Sequence, residues 1–189
     1  MFLTPITELD AINEIIGSIG ESPINTLENP TNSDVINAIR ILSITNRSFQ
    51  SNGWSFNIIN PYILNPSTTN QKINWLDNFL YIKSTDGNKY VKRGEHLYNM
   101  TTQTDTFTSP LEVECILLVP FEDMPIQART FITAKAAKDF QIRYLGDPTL
   151  TESLMRTEME AWKNLQEYEM EMNNYNILSN TSVIQLKRR

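Results

Sequence analysis

The sequence predicts an α+β protein, a four-helix bundle with a β-sheet subdomain inserted between helices 2 and 3. Apolar residues recur at helical spacing near both ends of the 189-residue chain. The middle of the chain is rich in aromatic and β-branched residues and in turn-forming pairs, which is typical of short strands. We therefore expect 1–53 and 121–180 to form the helical bundle, 54–120 to form the inserted β subdomain, and 181–189 to be a C-terminal tail.

The first helix is predicted over about residues 5–18. Thr4 suits the N-cap position, because its hydroxyl can accept a hydrogen bond from the first turn, and Pro5 suits the first helical position. Gly20 is a typical C-terminal stop. Two prolines and several turn formers follow in 20–32, so we expect a connection between helices there. The apolar stripe of this helix consists of Leu9, Ile12, Ile16 and Ile19.

A second, longer helix is predicted to start at the polar cluster Asn32–Asp34 and to end at Gly53. Arg40 and Arg47 lie seven residues apart on its polar face. After Gly53, residues 54–58 alternate like a strand, so we expect the chain to turn sharply into a sheet. The apolar stripe consists of Val35, Ile39, Leu42 and Phe49, with Ile36 and Ala38 beside them.

A β-hairpin is the clearest prediction for the middle of the chain. The runs 80–84 and 89–93 flank the pair Asp86-Gly87, a dipeptide that favours tight hairpin turns. We therefore expect these two strands to pair with each other, and Gly94 is a second turn candidate.

A further strand is predicted over 111–119, where apolar residues alternate with Glu112 and Glu114. Residues 60–78 give the weakest pattern of the chain. The run 73–80, INWLDNFL, fits either a short helix or a strand, and both assignments stay open.

Two helices are predicted in the last third of the chain. Met124-Pro125 marks the start of the third helix and Gly146 its end. Thr149–Glu152 matches a capping box, so the fourth helix is expected from about 150 to 173. The third helix carries the stripe Ile126, Phe131, Ile132, Ala136, Phe140 and Tyr144. The fourth carries Met155, Met159, Trp162, Leu165, Tyr168 and Met172 on one face, and Glu158, Glu160, Glu167 and Glu171 on the other.

The composition limits the classes of function. A net charge of −6 argues against a protein whose main task is to grip phosphate backbones, although DNA could pass such a protein without sticking. The single cysteine fits assembly in a reducing cytoplasm. No apolar run of about 18 residues is present, so we expect no membrane span, and the first residues do not resemble a secretory signal.

No residue pattern points to catalysis, a metal or a cofactor. His96 is the only histidine and fits an ordinary strand residue, and Cys115 falls on the apolar face of its strand. Acidic pairs such as Glu112 with Glu114 occur on most solvated surfaces, so they are weak evidence for a glycosidase. No phosphate loop, dinucleotide-binding glycine pattern, zinc pattern or serine-hydrolase elbow is present. We expect no catalytic, cofactor-binding or metal residues.

Basic residues are the candidate partner contacts. Four of them gather on the predicted hairpin, among tyrosines that could stack on bases, so nucleic-acid binding and protein docking both remain open. The acidic total favours docking. Arginines on the helices either anchor a helix or subunit contact or belong to a solvated face. The candidates are Lys83, Lys89, Lys92 and Arg93 on the hairpin, Arg40, Arg47 and Arg129 on the helices, and Lys187, Arg188 and Arg189 in the tail.

Most of the chain resembles tail tubular protein A of short-tailed bacteriophages (podoviruses). The resemblance is carried, in order, by LDAINEIIGSIGESPINTLE, NAIRILSITNRSFQSNGWSFN, YVKRGEHLYN, MPIQARTFITAKAAKDFQIRYLGDP and EAWKNLQEYEMEMNNYN. Each stretch alone is mostly helix stripe and cap, but their order and the Gly53-Trp54 junction make the match specific.

The resemblance implies a structural, non-enzymatic virion protein. Members of this family are head-to-tail adaptors that form a twelve-membered ring between the portal protein and the tail nozzle protein (tail tubular protein B). DNA passes through the ring during ejection without specific binding. We therefore expect a protein that assembles in the host cytoplasm, with its helices building the ring and touching the portal, its hairpin facing a neighbour or the nozzle, and its basic tail ordering on the portal.

The residues also leave two other functions open. A tail-associated hydrolase acting on surface polysaccharide would need two carboxyl groups in one cleft. A DNA-binding protein would show steep salt dependence, and the charge balance counts against it.

Overall fold

The computed structural model describes residues 6–179, and the side chains of residues 6–172. Within this range the chain is a mixture of helices and small antiparallel sheets, so the α+β prediction is confirmed at that level. The described elements are α1 (Glu8–Gly17), α2 (Ser33–Gln50), β1 (Ile58–Leu64), β2 (Phe79–Ser84), β3 (Tyr90–Arg93), β4 (His96–Asn99), β5 (Leu111–Leu117), a 3-10 turn (Phe121–Asp123), α3 (Ile126–Tyr144) and α4 (Pro148–Ser179).

The described residues separate into two compact units. The helical unit comprises the residues up to Phe49 and those from Pro120 onward, so it contains α1, α3, α4 and all but the last residue of α2. The β unit comprises Gln50–Val119 and contains β1 to β5. The helical unit is therefore built from two separate stretches of sequence, whereas the β unit is one continuous stretch.

Helix α3 is the central element of the helical unit. It packs against both α1 and α4, and ten of its residues are buried. Four of these ten are alanines, which let neighbouring helices approach closely. The ring of Phe131 lies 5.5 Å from that of Phe49 on α2 and 5.0 Å from that of Trp162 on α4, measured between centroids. Phe131 therefore connects three of the four helices.

Helix α1 begins later than the sequence predicts. Thr4 and Pro5 lie outside the described residues, and the helix starts at Glu8 with Thr7 as its N-cap. The Thr7 hydroxyl accepts a hydrogen bond from the Asp10 backbone N–H at 3.1 Å, and the Thr7 backbone N–H donates to the Asp10 carboxylate at 2.9 Å. A cap at Thr4 is thus wrong, because this reciprocal capping box fixes the first turn at Thr7.

The turn between α3 and α4 also differs from the prediction in its cap. Gly146, with a φ of +72°, ends α3 as expected. The Asp147 carboxylate accepts the Leu150 backbone N–H at 2.9 Å, and Pro148 occupies the first helical position. The predicted capping box at Thr149 is wrong, because the chain is already helical at Pro148.

Helix α4 turns a different face to the core than its apolar pattern predicts. Met155, Met159 and Met172 are exposed, and Trp162 is only partly covered. Glu158, predicted on the acidic outer face, instead bridges to α3, as described below. The side facing α3 consists of Leu154, Glu158, Ala161, Leu165 and Tyr168, which are buried or half-buried.

The β unit is organised around β5. This strand pairs antiparallel with β1 on one edge and with β2 on the other, while β3 and β4 form a separate two-stranded sheet. The burial of β5 alternates at Val113 and Cys115, as its sequence predicts. The core of the unit consists of Leu64, Ile73, Phe79, Ile82, Leu97, Val113 and Cys115.

The predicted pairing of 80–84 with 89–93 is wrong. Strand β2 pairs with β5, which places Ile82 opposite Cys115 in the core. The hairpin forms instead between β3 and β4 around Gly94, whose φ of +62° suits glycine. The Asp86-Gly87 turn is present, but it connects the two sheets, because burial of β2 against β5 outweighs the local hairpin signal.

The predicted strand start at 54–58 is also corrected. Residues 54–57 form turns, and β1 begins at Ile58. Gly53 has a φ of +78°, and a Cβ at this position would lie 3.0 Å from the Ile116 side chain. The close approach and the left-handed backbone both require glycine here.

Two buried amide side chains join the beginning and the end of the β unit. Gln50 donates from Nε2 to the Val119 carbonyl at 2.9 Å and accepts the Val119 N–H at 2.8 Å. Asn57 donates from Nδ2 to the carbonyls of Gln50 and Leu117, both at 3.0 Å, and accepts the Trp54 N–H at 2.7 Å. No periodicity in the sequence indicates this arrangement.

Candidate interaction surfaces

The solvent face of the three-stranded sheet is crossed by a row of polar contacts. The Glu114 carboxylate, on the central strand β5, accepts a hydrogen bond from Asn60 Nδ2 at 2.9 Å and pairs with Lys83 Nζ at 3.4 Å. Ile63 and Tyr81 are exposed on the flanking strands. Lys83 therefore belongs to this sheet and not, as the sequence predicts, to the same hairpin as the other basic residues.

The hairpin β3–β4 presents the remaining basic residues of this group. Lys89, Lys92 and Arg93 are exposed, and the Arg93 guanidinium lies 3.6 Å from the centre of the Tyr98 ring. A cation–π contact at an exposed site contributes roughly 0.5–1 kcal/mol and orients the arginine. The hairpin is thus a basic surface in which one guanidinium is held in place by its own strand partner.

The turn before this hairpin is ordered by Asp86. Burial acts to raise its pKa, but hydrogen bonds from Ser84, from the backbone N–H and side chain of Asn88 and from Tyr90 together hold the pKa of Asp86 well below its usual range. Burial and the Asp86 carboxylate raise the pKa of Tyr90 to about 12. The Asp86 side chain therefore stays ionised, and the Tyr90 side chain stays neutral, over a wide pH range.

Neither His96 nor Cys115 forms a reactive centre. His96 begins β4, and its Nδ1 lies 3.1 Å from the Asn74 side-chain oxygen. Cys115 is fully buried in the β-unit core, where burial and, to a lesser extent, the charge of Glu114 raise the pKa of its thiol. A buried thiol that resists ionisation is a poor nucleophile, so Cys115 is a core residue, as its position in the sequence predicts.

Arg129 is buried within the helical unit. Only 7% of its surface is exposed, and its guanidinium donates to the Ile6 carbonyl at 2.8 Å. Its Nε and the nearby Thr133 hydroxyl, both buried, have no hydrogen-bond partner among the described residues. Arg129 therefore ties the segment before α1 to α3 within one chain.

Arg40 and Arg47 are both exposed on α2, as the spacing of the helix predicts. Ile36 and Ile44 are exposed on the same side. The outer side of α2 therefore combines apolar and basic side chains. Lys187, Arg188 and Arg189 lie outside the described residues.

Helix α4 carries six of the sixteen acidic residues of the helical unit. Glu158 does not belong to the exposed acidic face of α4. Its carboxylate pairs with Lys138 at 2.5 Å and with Lys135 at 3.8 Å, both on α3. Their side chains are mostly covered, so this cluster contributes to the orientation of α4 on α3. The exposed methionines of α4 are the surface feature that the sequence pattern missed.

Two carboxylates line a recess of the helical unit. Glu167 and Glu171 stand one turn apart on α4, beside a recess of about 400 Å³ between α3 and α4. Both are exposed. Two carboxyl groups beside one recess are the minimum that a glycosidase requires, but such acidic pairs also occur on most solvated surfaces.

Neither a metal cluster nor a membrane-spanning helix is present among the residues that the structure describes. Among them, no cluster of three or more His, Cys, Asp or Glu side chains has the geometry to hold a metal ion. Over the same part of the chain, none of the helices combines the length and the apolar character required to cross a membrane.

Comparison with known proteins decides the family. A family model described as tail tubular protein matches residues 9–175. The chain belongs to the tail tubular protein family. This confirms the resemblance read from the sequence, and it makes the chain a structural component of a bacteriophage tail. Among curated tail tubular proteins, tail tubular protein A of Klebsiella phage KP34 is 28% identical over 139 residues, which cover 74% of each protein.

Proposed function

We propose that the protein is a head-to-tail adaptor that forms a twelve-membered ring between the portal and the tail nozzle protein. The observation that carries this proposal is the tail tubular family match, which spans residues 9–175. The adaptor role, the ring size and the two partners come from the resemblance of the sequence to tail tubular protein A. The protein acts without catalysis, as a structural connector assembled in the host cytoplasm.

The helical unit is the proposed ring-building part. Its four helices would act as a bundle that contacts the neighbouring copies and the portal. Exposed apolar side chains on α2 and α4 support this assignment, because contiguous apolar surface commonly marks protein interfaces. The unit carries Ile36 and Ile44 on one helix and Met155 and Met159 on another, so it offers more than one such surface.

The β unit is the proposed contact with the nozzle or with a neighbour. Its basic hairpin β3–β4 and the exposed face of its three-stranded sheet are the available surfaces. The basic C-terminal residues Lys187–Arg189 would order on the portal. DNA would pass through a channel whose wall is acidic or neutral, consistent with the net charge of −6.

Electron microscopy of the protein mixed with purified portal rings of the same phage tests this function. We expect a second ring stacked coaxially on the portal, with twelve subunits, and recruitment of the nozzle protein to that ring. Bare portals in the presence of the nozzle protein would overturn the adaptor role. In that case, release of sugars from host surface polysaccharide would be the assay for the hydrolase alternative.

A further inference from the structure

We propose that neighbouring copies contact each other through two different helix faces, α2 of one copy against α4 of the next. The α2 face consists of Ile36, Arg40 and Ile44, and the α4 face consists of Met155, Met159 and Met170. The proposal rests on the ring assembly proposed above and assigns the surfaces that build it.

The α2 face is a straight apolar and basic strip. Its three residues are spaced by four, so they lie on one side of the helix, away from the buried Ala38 and Leu42. Ile36 and Ile44 are 48% and 56% exposed. Arg40 lies between them and forms no ion pair with any described residue. An exposed arginine flanked by two isoleucines is suited to an acidic partner with apolar side chains.

The α4 face is apolar and lies on a helix of net negative charge. Met155, Met159 and Met170 recur on one side of the helix, and 69% of the Met159 surface is exposed. Methionine is flexible and adapts to irregular partners, so such a strip suits packing against the branched side chains of another helix. Next to Met159, a shallow recess of about 350 Å³, lined by Phe131, Glu158, Met159 and Trp162, offers room for an isoleucine side chain.

Charge determines which two faces meet. Helix α4 contains six glutamates against one arginine and one lysine, whereas α2 contains two arginines against one aspartate. Two α4 helices placed together would repel each other, while α2 against α4 brings opposite charges together. The contact is therefore between unlike faces.

A contact between unlike faces has a consequence for assembly. Each copy then offers one α2 face and one α4 face, so copies add head to tail and close into a ring at the correct rotation. A single helix-on-helix contact is small, and each copy within a ring is held by two of them. Once the first copies are docked on the portal, the high effective concentration of neighbouring copies stabilises the ring further.

Mixing of two single variants tests the face assignment. Ile44→Asp places a carboxylate on the α2 face, and Met159→Lys places an ammonium group on the α4 face, where it would meet Arg40 of the next copy. We expect each variant alone to reduce ring-bearing portals by about tenfold or more relative to wild type. An equimolar mixture of the two leaves only one intact contact, the α2 face of the Met159→Lys chain against the α4 face of the Ile44→Asp chain. It should therefore give 1:1 pairs that do not close into rings, measured by analytical ultracentrifugation.

Matched control variants on the β unit distinguish the effect of the mutated face from the effect of the added charge. Leu76→Asp and Met100→Lys introduce the same charges at positions that are 43% and 47% exposed and lie outside the strands of the hairpin and of the exposed sheet face, and should leave ring formation within about twofold of wild type. All four variants alter exposed residues, and circular dichroism verifies that each is folded.

The outcomes distinguish this proposal from the adaptor function. Wild-type rings together with normal rings from Ile44→Asp and Met159→Lys would overturn the face assignment and leave the adaptor role standing. Self-association of the Ile44→Asp chain into pairs would also overturn it, since α4 would then meet α4. A wild-type protein that forms no ring on the portal would overturn both.

Discussion

The helical unit and the β unit are stabilised in different ways. In the helical unit one helix, α3, is covered by apolar side chains from its neighbours, and Phe131 contacts aromatic rings of two other helices. The β unit has a core of seven buried residues, supplemented by the buried amides of Gln50 and Asn57 and by the hydrogen-bonded turn at Asp86. Packing of apolar side chains is the main source of stability in the helical unit. In the β unit, hydrogen bonds to irregular backbone contribute much more to stability than they do in the helical unit.

This difference teaches where surfaces for assembly can arise. A helix satisfies its own backbone hydrogen bonds, so its outer side is free to carry apolar side chains such as Met155 and Met159. Irregular backbone needs side-chain partners, and residues such as Asn57 are therefore committed to the unit itself. Substitutions in each unit test whether the loss of one mode of stabilisation affects the other unit.

The largest effects are expected from cavities in the two cores. Phe140→Ala in α3 should cost about 3–5 kcal/mol and Leu97→Ala in β4 about 2–5 kcal/mol, because both side chains are fully buried. Hydrogen exchange should accelerate mainly in α1, α3 and α4 for the first variant and mainly in β5 and β2 for the second. Met159→Ala, at an exposed position, is the control and should change the free energy of unfolding by no more than about 0.5 kcal/mol. Equal acceleration in both units by either core variant would show that they unfold as one.

A smaller loss is expected from the buried amide of Asn57. Asn57→Ala leaves the Trp54 N–H without its side-chain acceptor and removes the donor to the Gln50 and Leu117 carbonyls, which should cost about 1–3 kcal/mol in a denaturant titration. Asn60→Ala is the matched control, because its amide contacts only the exposed face at Glu114. If both variants had the same stability, the buried amides would not stabilise the β unit.

Loss of the α1 cap should have an effect of about 1 kcal/mol. Thr7→Ala removes the hydroxyl that accepts the Asp10 N–H, while Thr7→Ser keeps it and should be near wild type. The hydrogen bonds from the Thr7 backbone and then its hydroxyl lower the pKa of Asp10, so this stabilisation is present above the ordinary carboxyl pKa and is lost as the pH falls. Equal melting temperatures for all three proteins at neutral pH would contradict the capping box.

The smallest effect is expected at the Asp86 turn, and it depends on pH. The folded protein holds the pKa of Asp86 below its usual range, so the turn is fully stabilised above about pH 4 and loses that stabilisation as the pH falls further. Asp86→Asn should flatten this acid dependence in hydrogen exchange of β3 and β4, with little change at neutral pH. An unchanged acid profile in the variant would show that Asp86 does not stabilise the turn.

The helices were the most predictable part of the molecule. The ends of α3 at Pro125 and Gly146 follow from residues that begin or end a helix by local geometry, and β5 follows from its alternation. Exposure of Arg40 on α2 follows from the same helical period. These features depend on contacts between residues near each other in sequence.

Features that depend on distant contacts were not predictable. The Asp86-Gly87 pair indicates a hairpin, yet β2 gains more from burying Ile82 beside Cys115 on β5. The spacing of Arg129 fits either a helix contact or a solvated face, and only the fold shows that its guanidinium donates a hydrogen bond to the Ile6 carbonyl in the interior. The apolar strip of α4 predicts that Met159 and Leu165 share one buried side, whereas Leu165 is buried together with Ala161 and Met159 is exposed.

The sequence by itself determined the α+β class, the family, and the positions of the helices, because periodicity, caps and turn residues act over a few neighbouring residues. Only the tertiary structure decided the strand order β1-β5-β2, the closure of the β unit by Gln50 and Asn57, and the outer faces of α2 and α4. The physical reason is that the spacing between residues along the sequence determines which of them share one side of a helix or strand. The partners available in the folded chain determine which of those sides is buried and which remains exposed for assembly.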